Sequence, residues 1–362
     1  MTAGTTIPVR DEDAFDVSAV HAWLRRAAPA AVPAGTPVPT VEQFPGGASN
    51  LTYCLHYPDR DLVLRRPPAG HKAASAHDMG REVTVQTRLR PQYPLVPEVL
   101  GFCQDPSVIG DDFYVMERIP GTILRSNLPD GMRLTTAQAR GLAETVIDAQ
   151  ADLHAIDPAV VGLASLGRGP GYVGRQVSGW SRRYREARTD DVPDAEDVMA
   201  WLDARQRPDV AARLVHGDWR FDNLVLDLSG EPRIAGVLDW EMATVGDPLM
   251  DLGCSLAYWI QPDDDPDLQS LRRQPTHLPG MPTRDEYVAR YLARTGFVVD
   301  DWPFYEVFGM FRLAVIIQQI WLRYRLGQTT NPAFATFGAG TNVLVAQARA
   351  RMRDPSQRAA AH

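Results

Sequence analysis

His216-Gly217-Asp218-Trp219-Arg220-Phe221-Asp222-Asn223, followed sixteen residues after Asn223 by Asp239 in Leu238-Asp239-Trp240-Glu241, decides how this chain is read. The first stretch sets a basic residue two positions after an aspartate and an asparagine five positions after it. The second supplies an aspartate behind the apolar run Ala235-Gly236-Val237-Leu238. Phosphoryl transfer needs these residue types. Asp218 can position a hydroxyl and take its proton late in the transfer. Arg220 brings a permanent charge to where a γ-phosphate accumulates negative charge. Asn223 and Asp239 offer oxygen ligands to a Mg²⁺ bridging a triphosphate. Asp and Asn also favour tight turns, so a plain loop is the alternative for the first stretch alone. Asp239 weakens that alternative, because a carboxylate behind a buried strand is costly unless paired or metal-bound.

Upstream, Phe44-Pro45-Gly46-Gly47-Ala48-Ser49-Asn50-Leu51 separates two expected strands. Gly46 and Gly47 would let backbone N–H groups approach phosphate oxygens, with Ser49 and Asn50 adding polar contacts. A Gly-Gly hairpin turn is the competing reading. In the next strand, Leu62-Val63-Leu64-Arg65-Arg66, a base at the end could meet the α and β phosphates, with Glu82 as its helical partner. An exposed ion pair is the alternative. Tyr114 to Gly121 would join the two lobes, and backbone groups near Glu117 and Ile119 would recognise the base of the nucleotide.

Arg175, Trp180, Arg182, Arg183, Arg185 and Arg188 form a basic, aromatic-bearing stretch. It reads as an ordinary charged helix or as a seat for an anionic substrate, since clustered arginines bind phosphate bidentately. Glu241 is grouped with Arg175, Trp180 and Arg182 as substrate contacts. Asp247 reads as a helix cap and Asp251 as a partner of the loop backbone.

The 362 residues carry a net charge of −8, with 44% hydrophobic and 23% charged residues. That balance argues against a nucleic-acid partner, which calls for a basic face. Cys54, Cys103 and Cys254 show neither a disulfide framework nor zinc spacing. Met1 to Phe15 lacks the apolar core of a signal peptide, and Leu313 to Trp321 is too short to span a bilayer. The expectation is a cytoplasmic protein with no membrane partner.

The pattern divides the chain into three. Residues 1–40 read as one helix, Val17 to Ala28, and a Pro/Ala linker, Pro29 to Pro39. Residues 41–120 alternate short β-like runs with one helix, Ala73 to Leu89. Residues 121–362 are dominated by helices, opening at the capping-box signature Thr135 to Gln138 and including the nearly all-apolar Tyr305 to Tyr324. Strand character returns only beside the two chemical stretches. The class is α+β, with a strand-rich N-lobe and a mainly helical C-lobe.

Taken together, these segments resemble the aminoglycoside phosphotransferase/choline kinase family, which has the protein-kinase-like two-lobed fold. Leu64-Arg65-Arg66-Pro67-Pro68, Ser75-Ala76-His77-Asp78, Arg175-Gln176 and Leu238-Asp239-Trp240-Glu241 are most similar to its acyl-CoA dehydrogenase-associated branch. The resemblance implies ATP or GTP and Mg²⁺ as cofactors. It makes Asp218 the catalytic aspartate, Asn223 and Asp239 the metal ligands, and Ser49 with its neighbours the nucleotide loop. It also implies a small hydroxylated acceptor, with a hydroxyacyl-CoA as the branch's substrate and an aminoglycoside as the rival. The family's strand lysine is replaced by Arg65, or by Arg66 in the adjacent register. That replacement motivates a further alternative, a non-catalytic nucleotide- or metabolite-binding module. The oligomeric state stays open, a homodimer included.

Overall fold

The computed structural model describes residues 6–45, 50–68 and 78–353. In chain order these form β1 (Ile7–Pro8), α1 (Val17–Ala27), β2 (Thr40–Gln43), β3 (Leu51–His56), β4 (Asp61–Arg66), α2 (Met79–Leu89), β5 (Val99–Cys103), α3 (Pro106–Ile109) and β6 (Phe113–Glu117). Then come α4 (Thr136–Ala155), α5 (Tyr172–Ala187), α6 (Glu196–Ala204), β7 (Arg213–Val215), β8 (Leu224–Asp227), β9 (Arg233–Val237) and β10 (Thr244–Gly246). The described residues close with α7 (Pro248–Leu256), α8 (Pro266–Gln269), α9 (Arg284–Thr295), α10 (Trp302–Arg325) and α11 (Phe337–Arg353). Two compact units result: residues 1–123 with 223–243, and residues 124–222 with 244–362.

In the first unit an antiparallel six-stranded sheet runs in the order β1-β2-β3-β4-β6-β5. Successive strand side chains point to opposite faces. Leu62 and Leu64 of β4 therefore join Tyr53, Leu55, Phe113 and Val115 on one face, where Val20 and Leu24 of α1 cover them. Val63 joins Tyr114 and Met116 on the other face, under Met79 and Val83 of α2. Asp78 caps α2 by accepting from the Arg81 N–H at 2.9 Å. Ala31 and Val32 are buried in the α1 core, so part of the stretch that reads as a Pro/Ala linker is packed structure. Its small apolar residues fill the gap beneath α1.

The β8–β9 hairpin groups with this sheet, whereas a boundary at residue 120 assigns it to the helical part. Thr122 and Leu226 exchange backbone hydrogen bonds at 2.8 Å, and the Val237 N–H donates to the Leu95 carbonyl at 2.7 Å. Those bonds satisfy backbone groups that short strands leave open.

The second unit is built on α10, which packs against α11, α7 and α5. α7 and α10 meet backbone to backbone: a Cβ on Gly309 would fall 2.1 Å from the Gly253 carbonyl oxygen. Capping boxes open α4 at Thr135 and α9 at Thr283. Among the described residues, no helix is long and apolar enough to cross a membrane.

Candidate active site

Strand alternation separates the two arginines that end β4. Arg66 lies on the α1 face, donating to the Asp13 carbonyl at 2.6 Å and to the Tyr53 hydroxyl at 3.1 Å. Arg65 lies on the α2 face, 2.7 Å from Glu82, 3.3 Å from Asp239 and 3.9 Å from Glu241. Burial alone would push the Arg65 guanidinium down, but the Glu82, Asp239 and Glu241 charges outweigh it and hold the group cationic. Burial pushes the Glu82 carboxyl up from its ordinary value, and Arg65 pulls it back. Asn50 donates to Glu241 at 3.2 Å. Glu241, read from sequence as a substrate contact, is thus gathered with Asn50 and Arg65.

The hairpin brings the backbones of Asn223 and Asp239 near each other. Leu224 pairs with Val237, and the Leu238 N–H donates to the Asn223 carbonyl at 2.8 Å, which sets Asn223 opposite the residue before Asp239. Asp239 has a left-handed backbone, φ 65° and ψ 66°. Aspartate tolerates that region better than most residues, at a cost of about 1–2 kcal/mol. The turn after it is anchored by buried Trp240, whose indole N–H donates to the Val237 carbonyl at 2.9 Å. Arg81 of α2 adds hydrogen bonds to the carbonyls of Glu241 and Ala243. The side chains of Asn223 and Asp239 carry hard oxygen atoms rather than thiol or imidazole, a ligand chemistry that would suit Mg²⁺.

In the second unit, Asp218 and Arg220 stand on the loop after β7. Arg220 lies between two carboxylates, 3.2 Å from Asp218 and 3.4 Å from Asp222, with its guanidinium 5.1 Å from the Tyr258 ring centre. Burial raises the Asp222 carboxyl above its ordinary value against the pull of Arg220. Buried Asp251 of α7 shapes the loop by accepting from the Gly217 N–H at 2.8 Å and the His216 N–H at 3.3 Å. His154 of α4 sits 3.1 Å from Asp251 and, through its other ring nitrogen, 2.6 Å from the Tyr291 hydroxyl of α9. Asp247 caps α7 through the Leu249 and Met250 N–H groups.

Of the remaining residues singled out from sequence, Gly46, Gly47 and Ser49 lie outside the described residues. Glu117 ends β6, pairs with Arg90 at 2.7 Å, and its N–H is already satisfied by the Glu98 carbonyl at 2.9 Å. That leaves the N–H of Glu117 unsuited to recognising a base. The side chain of Ile119 packs over Gly236, where a Cβ would fall 2.3 Å from its Cδ1. Arg175 turns back onto the carbonyls of Gly169 and Pro170, and Arg182 pairs with Glu186 at 3.6 Å. Trp180 is buried, its indole N–H donating to Gln176 at 2.9 Å.

With this geometry in view, residues 40–307 match the family described as phosphotransferase enzyme family. The chain belongs to that family. A mouse (Mus musculus) protein, acyl-CoA dehydrogenase family member 10, is 36% identical over 291 residues, covering 80% of this chain and 27% of its own length. The chain spans less than half the length of the curated relatives it matches. A solved structure from Ralstonia eutropha JMP134, named provisionally as an aminoglycoside phosphotransferase, is 28% identical with a TM-score of 0.78, covering 93% of this chain and 98% of that one. An aminoglycoside phosphotransferase in ternary complex with AMP-PNP and hygromycin B shares the fold at 14% identity and a TM-score of 0.56, covering 92% and 99%. The chain therefore has the protein-kinase-like α+β fold of that family.

Several residues around the candidate site escaped the sequence. Arg312 donates to the Gly217 carbonyl at 2.6 Å, directly before Asp218. Its signal was present, since it is a charged residue at the edge of an apolar run in a buried helix. His154 was hidden on the apolar face of α4, where a lone histidine has no spacing signature. Arg81 was masked by its more conspicuous neighbour Glu82.

Proposed function

We propose that this phosphotransferase moves the γ-phosphoryl group of ATP onto a hydroxyl of a small molecule, with Mg²⁺ as the bridging ion. The observation that supports the reading is the hairpin pairing that sets Asn223 opposite Leu238, the residue before Asp239, with charged Arg65 at 3.3 Å from the Asp239 carboxylate. Asn223 and Asp239 would hold the ion, which supplies charge neutralisation on the phosphate oxygens. Arg65 stands in for the family's lysine. Glu82 fixes its planar head, which can bind phosphate oxygens in a fork. Asp218 orients the acceptor hydroxyl and takes its proton, and Arg220 keeps that carboxylate in place. The bound AMP-PNP of the hygromycin-complexed neighbour is consistent with an adenine nucleotide.

For the acceptor, a hydroxyacyl-CoA is favoured over an aminoglycoside. A polycation needs free carboxylates, yet several carboxylates of the acid-rich segments 190–197 and 263–267 are engaged internally. Asp197 is paired with Arg349 at 2.7 Å, Asp264 with Arg284 at 2.6 Å, and Asp191 accepts from Trp321 at 3.1 Å. The test is ADP release with Mg²⁺ and ATP across 3-hydroxybutyryl-CoA, kanamycin, hygromycin B and choline. Turnover on the thioester alone supports the reading. Preference for an aminoglycoside would replace the acceptor, and ATP binding without turnover on any hydroxyl would return the chain to a binding module.

A further inference from the structure

The arginines of α5 and of its C-cap, Arg188, differ in what they touch. Arg175 is held by backbone carbonyls, Arg182 by Glu186, Arg185 by Glu196 at 2.6 Å, and Arg188 by the Val192 carbonyl at 3.4 Å. Arg183 has no hydrogen bond or ion pair to any described residue. It is half-buried, with its guanidinium carbon 4.6 Å from the centre of the Trp180 ring. A second guanidinium, that of buried Arg312, lies 5.2 Å from the same ring. Burial, then the like charges of Arg182 and Arg312, push Arg183 below its ordinary value, with only Glu186 opposing them. Crowded cations on one indole, the outer one lacking a carboxylate, form an arrangement that an anion would relieve.

The position of this patch gives it a use. Arg312 reaches from the Trp180 ring to the carbonyl of Gly217, so the patch is one side chain away from the residue preceding Asp218. A guanidinium lying over an aromatic face keeps its in-plane N–H donors available, and these match the paired oxygens of a carboxylate or phosphate.

We infer that Arg183, carried over Trp180 beside Arg312, seats an anionic oxygen group of the acceptor, a carboxylate or a phosphate, while Asp218 handles its hydroxyl. The assignment of that group to an acceptor rests on the function proposed above; the anion seat itself does not. It replaces Arg175 and Arg182 as the arginine contacts expected from sequence.

The test is calorimetric binding of 3-hydroxybutyrate, glycerol 3-phosphate and 3-hydroxybutyryl-CoA, with choline as the cationic control. It uses the full chain, its Arg183→Gln variant and its Arg183→Lys variant. The expected result is that at least one anionic probe binds the wild type and loses roughly 10- to 100-fold in affinity in Arg183→Gln. Arg183→Lys should recover part of that loss, and choline should be indifferent to both changes. Whether the carboxylate, the phosphate or the thioester probe responds identifies the source of the anion. Nucleotide-induced thermal stabilisation serves as the folding control. If Arg183→Gln does not fold, Arg183→Lys carries the test, with a severalfold loss expected from the missing fork. Equal binding in the variant read, binding of none of the anionic probes, or a preference for choline overturns the inference. Anion binding through Arg183 without ATP turnover would discard the proposed reaction and leave the seat standing.

Discussion

Asp239 holds a left-handed backbone that costs about 1–2 kcal/mol, and the surrounding residues fix it from both sides. Trp240 locks the turn below it, and Arg65 faces its carboxylate. If that geometry serves an ion, Asp239→Ala should remove the Mg²⁺ dependence of nucleotide binding, measured by titrating nucleotide with and without the metal. Unchanged dependence would reject the ligand assignment. Asp251 gives a second residue-level prediction. Burial would raise its carboxyl, but hydrogen bonding to His154, the nearby imidazoles of His154 and His216 and the Gly217 N–H outweigh burial and place it below its ordinary value of 3.8. The resulting stabilisation is complete above pH 3.8 and is lost as the pH falls through the lower folded-state value. Asp251→Asn should therefore melt below the wild type at neutral pH, with the gap narrowing in acid. A constant gap down to pH 2 would contradict the assignment. At this scale the sequence was legible where chemistry imposes residue type. The spacing of Asp218, Asn223 and Asp239 is what makes them candidates, while the choice between Arg65 and Arg66 needed the strand register. Arg312 and His154 act through tertiary contacts that no local spacing encodes.

Among the elements, α7 and α10 carry the sharpest constraint. Their backbones meet at Gly253 and Gly309, and a Cβ on Gly309 would lie 2.1 Å from a carbonyl oxygen that cannot rotate away. Gly309→Ala should destabilise the fold by about 1–3 kcal/mol or more, the range for overpacking. Because α7 carries Asp251, the loop around Asp218 should lose order as well. Chemical denaturation and amide exchange at Gly217 would show both, and a neutral substitution would disprove the close crossing. On the other unit, Leu24→Ala should cost about 2–5 kcal/mol, because Leu24 is fully buried between α1 and the sheet. An unchanged denaturation midpoint would mean that α1 does not belong to that core. Elements were readable from sequence where a capping box or a long apolar run marks them, as at Thr135 and along α10. The packed stretch around Ala31 and Val32 was not, because Pro/Ala composition describes local stiffness and says nothing of what lies beneath it. The hairpin's membership of the first unit was equally hidden, since it depends on Thr122 and Leu95 far away in the chain.

For the whole molecule, a ligand that binds only the native state raises the melting point by mass action. Saturation to about 100 times Kd is worth about 2.7 kcal/mol. Mg²⁺ with ATP should stabilise the wild type by that order and Asp239→Ala far less, as read by thermal melting. The strand-rich and helical halves were visible in the sequence because alternating and helical periods segregate along the chain. The acceptor was not, because the charge runs that suggest it are mostly neutralised by partners distant in sequence, such as Arg349 for Asp197. The central claim is that Asp218 carries the transfer to a hydroxyl. Its most direct test is steady-state turnover of Asp218→Asn on the best acceptor, with nucleotide affinity measured in parallel. The account predicts a fall in kcat of roughly 10²–10⁴-fold with nucleotide binding unchanged. Wild-type turnover in that variant would contradict it.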